Sequence, residues 1–394
     1  MLDLYFDEIL PLEEYQYKST KNLHALKYKD FRIFVFQSAN VCGNVCGVFL
    51  CFITYLFMKQ NISLKDIARE LNLSISTVSR ALRGVGEISQ QTRDAVNELA
   101  RKYRYRPNPL ATGLLKNKTK ILGVILPEIE SYYFSTILRG IDKIAGEHEY
   151  KIMAFYSNES QKLEEQAIEE LLYNNVEGII TCPAIESYEF VRYQNLIAEE
   201  IPFVVVERDI YNIESYRVVT NNYLVTSNVI EYLIHKGRKN IALITCLEPL
   251  SVGNERYRAY KNILKRNGIP LDRELIVHGN LNISTSIEAT RNLLINKPRV
   301  DAIIGNSDMV AMAAMKVIKE NGKKIPDDIA LVGFNDDPYA SFLEPSLSSV
   351  SQPAYLMGMR AAEGVFAMIE KKLPLNKPEK IILDSALILR NSTP

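Results

Sequence analysis

From residue 121 to residue 332 short apolar runs alternate with longer amphipathic stretches, and this alternation constrains the fold more than any other feature. The run 121–126 is apolar and stopped by Pro127, so it reads as a buried strand, and a helical period over 133–147 follows it. Further strands are expected at 151–156, 178–181, 203–206, 241–245, 275–277, 302–304 and 329–332. Helical stretches separate them at 162–174, 188–199, 223–236, 256–267, 285–294 and 309–320. Strands that take turns with helices imply parallel, doubly wound sheets, an α/β class. There are more such units than one sheet holds, and 394 residues leave room for two or three domains.

Ahead of that body lies a stretch of different character, from Leu64 to Arg83. Leu64, Ile67, Ala68 and Leu71 fall on one face of a short helix, with Ser63 at its N-cap and Asp66 at capping-box spacing. Asn72 can take the turn. Ser74 can cap a second helix that sends Val78, Ala81 and Leu82 inward and Ile75, Ser76, Ser79, Arg80 and Arg83 outward. Ser89 to Thr92 opens a third helix lined by Val96, Leu99 and Ala100. A small helix pair with a polar, basic outer face has the form of a helix-turn-helix, whose second helix enters the DNA major groove.

Charge agrees with that reading. The whole chain is formally neutral, yet residues 58–120 carry 13 Lys/Arg against 5 Asp/Glu, so a module of +8 is joined to a remainder of −8. Such asymmetry points to a polyanion partner for the module alone. Five cysteines, Cys42, Cys46, Cys51, Cys182 and Cys246, show no paired framework and suit a reducing cytoplasm. No metal-ligand spacing, phosphate loop, nucleophile elbow or zinc-protease motif is present, so neither a metal nor an enzyme is expected. No cofactor is expected either.

Thr77-Val78-Ser79-Arg80-Ala81-Leu82, then Ser89 to Arg93, then Tyr105-Arg106-Pro107-Asn108 together resemble the lactose/galactose repressor family. The resemblance runs from about Met58 to the C-terminus. It implies a helix-turn-helix domain at 58–106, a hinge helix at 107–118, and at 119–394 two doubly wound lobes like those of periplasmic binding proteins. The chain would cross between lobes three times, near His235, Leu343 and Leu373. It further implies a homodimer on a near-palindromic operator, in double-stranded DNA, under control of a small-molecule effector. Ile75, Ser76 and Arg80 are the expected base readers, and Ser63, Ser74, Thr77, Ser89 and Thr92 the phosphate contacts. Asn108 and Leu114 belong to the hinge, with Leu114 as the wedge in the minor groove. At about two turns this hinge should become helical only over DNA.

In an open parallel sheet ligands bind beyond the C-terminal strand ends. Ser131-Tyr132-Tyr133-Phe134, then Pro249, Asn254 and Arg256, then Asn306-Ser307-Asp308, then Asn335-Asp336-Asp337 all follow expected strands. Polar groups beside aromatic faces suit a sugar or nucleoside. The resemblance assigns effector contact to Tyr133, Phe134, Arg256, Ser307 and Asn335, and makes Asp308 the cap of the helix after it. Two positions depart from the family habit: Ser307 where Asn is frequent, and Asn335 where Asp is. Loss of a carboxylate at Asn335 removes the usual bidentate acceptor for sugar hydroxyls.

Residues 1–57 stand apart. Positions 41–58 form an uncharged run of 18 residues, the lower limit for a membrane span. It could be a membrane anchor, for a DNA-binding regulator or for a ligand-binding sensor, or a core or partner-binding helix. The third and favoured reading starts translation at Met58, because Met58-Lys59-Gln60-Asn61-Ile62-Ser63 is similar to the usual family start.

Overall fold

The computed structural model describes residues 62–105, 119–187, 190–210, 213–246, 251–279, 282–375 and 378–394. The run at 41–58, the hinge with Asn108 and Leu114, and Pro249 lie outside the described residues. The chain divides into two compact units, one within Met1–Asn108 and one within Pro109–Pro394.

The first unit is three helices: α1 (Leu64–Glu70), α2 (Ile75–Arg83) and α3 (Gln90–Lys102). Ile67, Ala68, Val78, Ala81, Val96 and Ala100 are its buried centre, and Leu64, Leu71, Leu82, Leu99 and Tyr105 pack around them. So small a core depends on its helix ends. Ser63, Ser74 and Ser89 occupy the three N-caps, and Asn72 turns the chain between α1 and α2 with φ of 52°. Gly84, with φ of 68°, ends α2 in the left-handed conformation that glycine adopts without strain.

The second unit holds two sheets, hence two lobes. In chain order its elements are β1 (Ile121–Leu126), α4 (Tyr132–Glu147), β2 (Lys151–Tyr156), α5 (Gln161–Tyr173), β3 (Gly178–Thr181), α6 (Val191–Ala198), β4 (Phe203–Val206) and β5 (Tyr216–Thr220). Then come α7 (Asn222–His235), β6 (Ile241–Thr245), α8 (Ser251–Arg266), β7 (Ile276–His278), α9 (Ile283–Asn296), β8 (Ala302–Gly305), α10 (Asp308–Glu320) and β9 (Ala330–Asn335). The chain ends with β10 (Ser348–Ser351), α11 (Ala354–Ile369), β11 (Glu379–Leu383) and β12 (Ala386–Ile388).

The first sheet runs β11-β5-β4-β3-β1-β2, all parallel. The second runs β12-β10-β9-β8-β6-β7 and is parallel except for β10 against β12. Period-two alternation builds a core on each face. Leu122, Val124 and Leu126 meet α4 and α11, while Ile125, Ile179 and Val205 meet α5 and α6. In the second lobe Leu243, Ile304 and Val332 pack with α7 and α8, and Ile244, Ile303 and Leu331 with α9 and α10. Helices α4 and α11 touch backbone to backbone: a Cβ on Gly140 would stand 2.1 Å from the Tyr355 carbonyl oxygen, and one on Gly358 2.0 Å from that of Ile137.

The doubly wound, two-lobed class is as expected, but the crossings are not where the sequence reading put them. The first lies at Thr220–Asn222, not near His235, because α7 packs Val225, Val229, Ile230 and Leu233 into the second lobe. The second lies at Gln352–Pro353, not near Leu343, since β10 still pairs with β9 while α11 covers the first sheet. The third falls between β11 and β12, at residues 384–385, not near Leu373.

Candidate nucleic-acid interface and effector cleft

In the first unit Val78 and Ala81 are buried and therefore fix which side of α2 faces out. Ile75 is 50 % exposed, and Ser76 and Arg80 are exposed with it. The Ser74 hydroxyl accepts the Thr77 N–H at 3.0 Å and lies 2.7 Å from the Ser76 hydroxyl and 2.8 Å from that of Thr77. A similar pair stands at the start of α3, where Ser89 accepts the Thr92 N–H at 3.2 Å. Ser63 is committed differently: its hydroxyl and N–H both donate to Asp66, at 2.6 and 3.0 Å. Those bonds, the hydroxyl's first, hold the Asp66 carboxyl below its ordinary pKa. Every described DNA-contact candidate thus sits at a helix start or on the outer face of α2. Tyr103, which donates to Glu70 at 3.0 Å and ties α3 to α1, was not singled out in the sequence.

In the second unit the five effector candidates lie at C-terminal strand ends or the helix starts that face them. Tyr133 is buried, donates to Glu207 Oε2 at 2.5 Å, and meets Phe134 edge-on at 5.5 Å between centroids. Burial, then the Glu207 carboxylate, pushes its phenol pKa upward. Arg256 is 2 % exposed; its Nε donates to Asn222 Oδ1 at 2.9 Å and its Nη1 to the Asn306 carbonyl at 2.8 Å. Its guanidinium stacks 3.7 Å from the Phe334 ring centroid. Asn335, next along β9, adopts φ of 101° and lines with Tyr133 a cavity of about 360 Å³. A non-glycine residue in that backbone region is strained, and such strain gathers at functional positions.

The cap of α10 falls on Ser307, one position before the expected Asp308. Ser307 is the N-cap of α10 and accepts the Val310 N–H at 3.3 Å. Asp308 is not the cap: it is the first helical residue, fully buried, and accepts from the Asp337 N–H at 2.7 Å and the Ser349 hydroxyl at 2.6 Å. Burial lifts its carboxyl to about 7. Asp336 pairs with Arg390 at 2.7 Å.

Several cleft residues escaped the sequence reading. Glu207, Arg208 and Asp209 follow β4 directly and are all buried. Arg208 donates to both oxygens of Glu159, at 2.6 and 2.7 Å, and to the Pro183 carbonyl at 2.8 Å. Asn222 and Gln352 occupy crossings. The signal for the first three was present: three charged residues in a row after an apolar strand, where the strand-end rule looks for a ligand site. Among the described residues no cluster of His, Cys, Asp and Glu could hold a metal ion. No described helix is long and apolar enough to cross a membrane.

These features define a class: a helix-turn-helix module joined to a two-lobed body of the binding-protein type. Residues 63–108 match the profile of bacterial regulatory proteins of the lacI family, and residues 230–393 match the periplasmic binding protein-like domain. The chain is 30% identical over 332 residues to the HTH-type transcriptional regulator RegA of Clostridium saccharobutylicum, covering 84% of this chain and 99% of that protein. It is 31% identical over 302 residues to catabolite control protein A of Priestia megaterium, covering 76% and 90%. Among solved structures, the transcriptional regulator CelR–cellobiose complex superposes with a TM-score of 0.64 at 25% identity, over 84% of this chain and 99% of that one. The chain belongs to the lacI family of DNA-binding transcriptional regulators.

Proposed function

We propose that the protein is a cytoplasmic repressor that binds a near-palindromic operator as a homodimer and answers to a sugar or related metabolite, with no enzymatic step. Residues 58–106 would read DNA, 107–118 form the hinge, and 119–394 bind effector and dimerise. The observation that carries the reading is the outer face of α2, which holds Ile75, Ser76 and Arg80 outward while Val78 and Ala81 anchor the other side. Arg80 offers two parallel N–H groups to a guanine edge, and Ile75 an apolar contact to a thymine methyl. Ser74, Thr77, Ser89 and Thr92, at the starts of α2 and α3, suit phosphate oxygens, which helix N-termini attract. Ser63 fits this role through its helix terminus, since its hydroxyl proton already goes to Asp66. Asn108 and Leu114 would complete the interface from the hinge.

For the effector, the supporting feature is the cavity that Tyr133 of one lobe and Asn335 of the other line together, with Glu207 bonded to Tyr133; Phe134, Arg256 and Ser307 would complete the site. Stacking faces with separate donors and acceptors suit a polyhydroxylated ring. That CelR was solved with cellobiose agrees with this class. Glu207 supplies a carboxylate that Asn335 lacks. The test is Arg80→Ala in the full chain, titrated at fixed salt against an operator recovered by in vitro selection. A loss of about 1–3 kcal/mol in specific binding is expected. Affinity equal to that of the parent would remove α2 from base readout.

A further inference from the structure

We infer that Gln352 is a positioning residue that joins the two lobes' halves of the cleft through the crossings. Its regulatory meaning rests on the effector reading above; its geometry does not.

Gln352 sits at the second crossing and is 6 % exposed. Its Nε2 faces three acceptors: the Tyr133 hydroxyl at 3.3 Å, Glu207 Oε1 at 3.4 Å and Thr220 Oγ1 at 3.2 Å. The amide orientation is fixed by Glu207, whose carboxylate can only accept. From Thr220, at the first crossing, the chain of bonds continues into the second lobe. Asn222 Nδ2 donates to Thr220 Oγ1 at 3.2 Å, and Arg256 Nε donates to Asn222 Oδ1 at 2.9 Å. Arg256 Nη1 then reaches the Asn306 carbonyl. Glu207, Tyr133, Gln352, Thr220, Asn222 and Arg256 are all buried, so water does not break the series.

The node is over-subscribed. Two amide N–H groups serve three acceptors, each at more than the usual 2.9–3.0 Å for such bonds. On the other side of the same amide, Oε1 is buried without a partner. A buried polar group left unpaired is destabilising. A group that cannot satisfy all its partners at once is balanced between alternatives, and a small relative turn of the lobes decides which pair of bonds it makes. A shift of Arg256 is thereby felt at Tyr133 and Glu207, in the other lobe.

Amide hydrogen exchange of the full chain, without ligand, tests this. Gln352→Met keeps the size and removes the donors; Thr220→Val breaks the relay one bond further on without altering Tyr133 or Glu207. Each should raise exchange about tenfold, the value of one lost bond of ~1.4 kcal/mol, in peptides over 131–135 and 252–258. The double variant should do no more than either alone, because residues in one network are not additive. Exchange in β1 and β8 should stay at the parental rate. Changes confined to the altered residue's neighbours, or effects that multiply in the double variant, would overturn the inference. If Gln352→Met does not fold, Thr220→Val decides alone, and parental exchange over 131–135 refutes the relay. Because no ligand is used, failure here leaves the effector reading intact, and failure of that reading leaves this result.

Discussion

Two buried arginines face the cleft, one from each lobe, and they are held in opposite ways. Arg208 lies against Glu159 with two short bonds, the side chains 11% and 15% exposed. Burial alone would lower its pKa, but the adjacent carboxylate reverses this and raises it well above the ordinary value. Arg256 has no carboxylate partner among the described residues; Asn222, Asn306 and the face of Phe334 hold it by dipoles and quadrupole. Burial therefore brings its pKa down, opposed first by the more distant Glu207. A fully paired guanidinium serves structure, here by pinning the loop after β3 through Pro183. One held only by neutral groups keeps an unspent charge, which is what a ligand-binding arginine needs.

The largest expected effect comes from breaking the paired member. Glu159→Ala leaves Arg208 as a buried, unmatched charge and should lower stability by about 3–5 kcal/mol in denaturant unfolding. A change below ~1 kcal/mol would show that the two arginines are not held differently at all. Next is the unpaired member. Arg256→Ala should cost less stability, about 1–3 kcal/mol for its bonds to Asn222 and Asn306. It should nevertheless abolish the release of operator by any sugar active on the parent, while operator binding itself persists. A variant that still responds at the same sugar concentration would take Arg256 out of the effector site.

The smallest effect extends the comparison to carboxylates. Glu159 and Glu164 anchor the same loop, Glu159 by accepting the Ile185 N–H at 2.7 Å and Glu164 by accepting from the Ala184 N–H and the Ser187 hydroxyl. Among the described residues Glu159, unlike Glu164, has a cation in contact. Burial pushes Glu164 from 4.5 to about 7. Its folded form then binds a proton that the unfolded chain has released, so its contribution is complete below about pH 4.5 and is lost as pH rises through about 7. Over that window stability should fall with slope at most ~1.4 kcal/mol per pH unit from this group. Glu164→Gln should flatten the slope in part, with Asp308, also at about 7, maintaining the rest. An unchanged pH profile would mean that Glu164 is ionised when folded.

What was legible in the sequence follows the same division between local and non-local causes. Ser74 as a cap, Asn72 as a turn and the face of α2 depend on residues within one or two turns, and all were read correctly. The cap at α10 missed by one position, because Ser307 and Asp308 are both good capping residues and only burial separates them. The crossings were displaced because an amphipathic pattern says that a helix covers a sheet, not which of two sheets. β10 was missed for another reason. Its Ser348 and Ser349 carry no apolar signal; they are buried because β10 lies between β9 and β12, where their hydroxyls find Thr393 at 2.8 Å and Asp308 at 2.6 Å. Gln352 belongs to the cleft through contacts that join residues far apart in the chain, so no local pattern announces it, whereas Glu207 follows an apolar strand and was within reach of the strand-end rule.

The late crossings also affect biosynthesis. β1 to β5 of the first lobe leave the ribosome early, but the helix that seals their outer face, α11, ends at Ile369. Between Thr220 and Ile369 roughly 150 residues must be made, which at ~5–20 residues per second takes roughly 8–30 s. During that interval the nascent lobe lacks Met357, Ala361, Val365 and Phe366 of α11, which complete the core shared with Ile137, Ile141 and Ile144 of α4 in the finished protein. Translation speed across the second lobe therefore sets how long an unfinished apolar surface is available to chaperones or to neighbouring nascent chains.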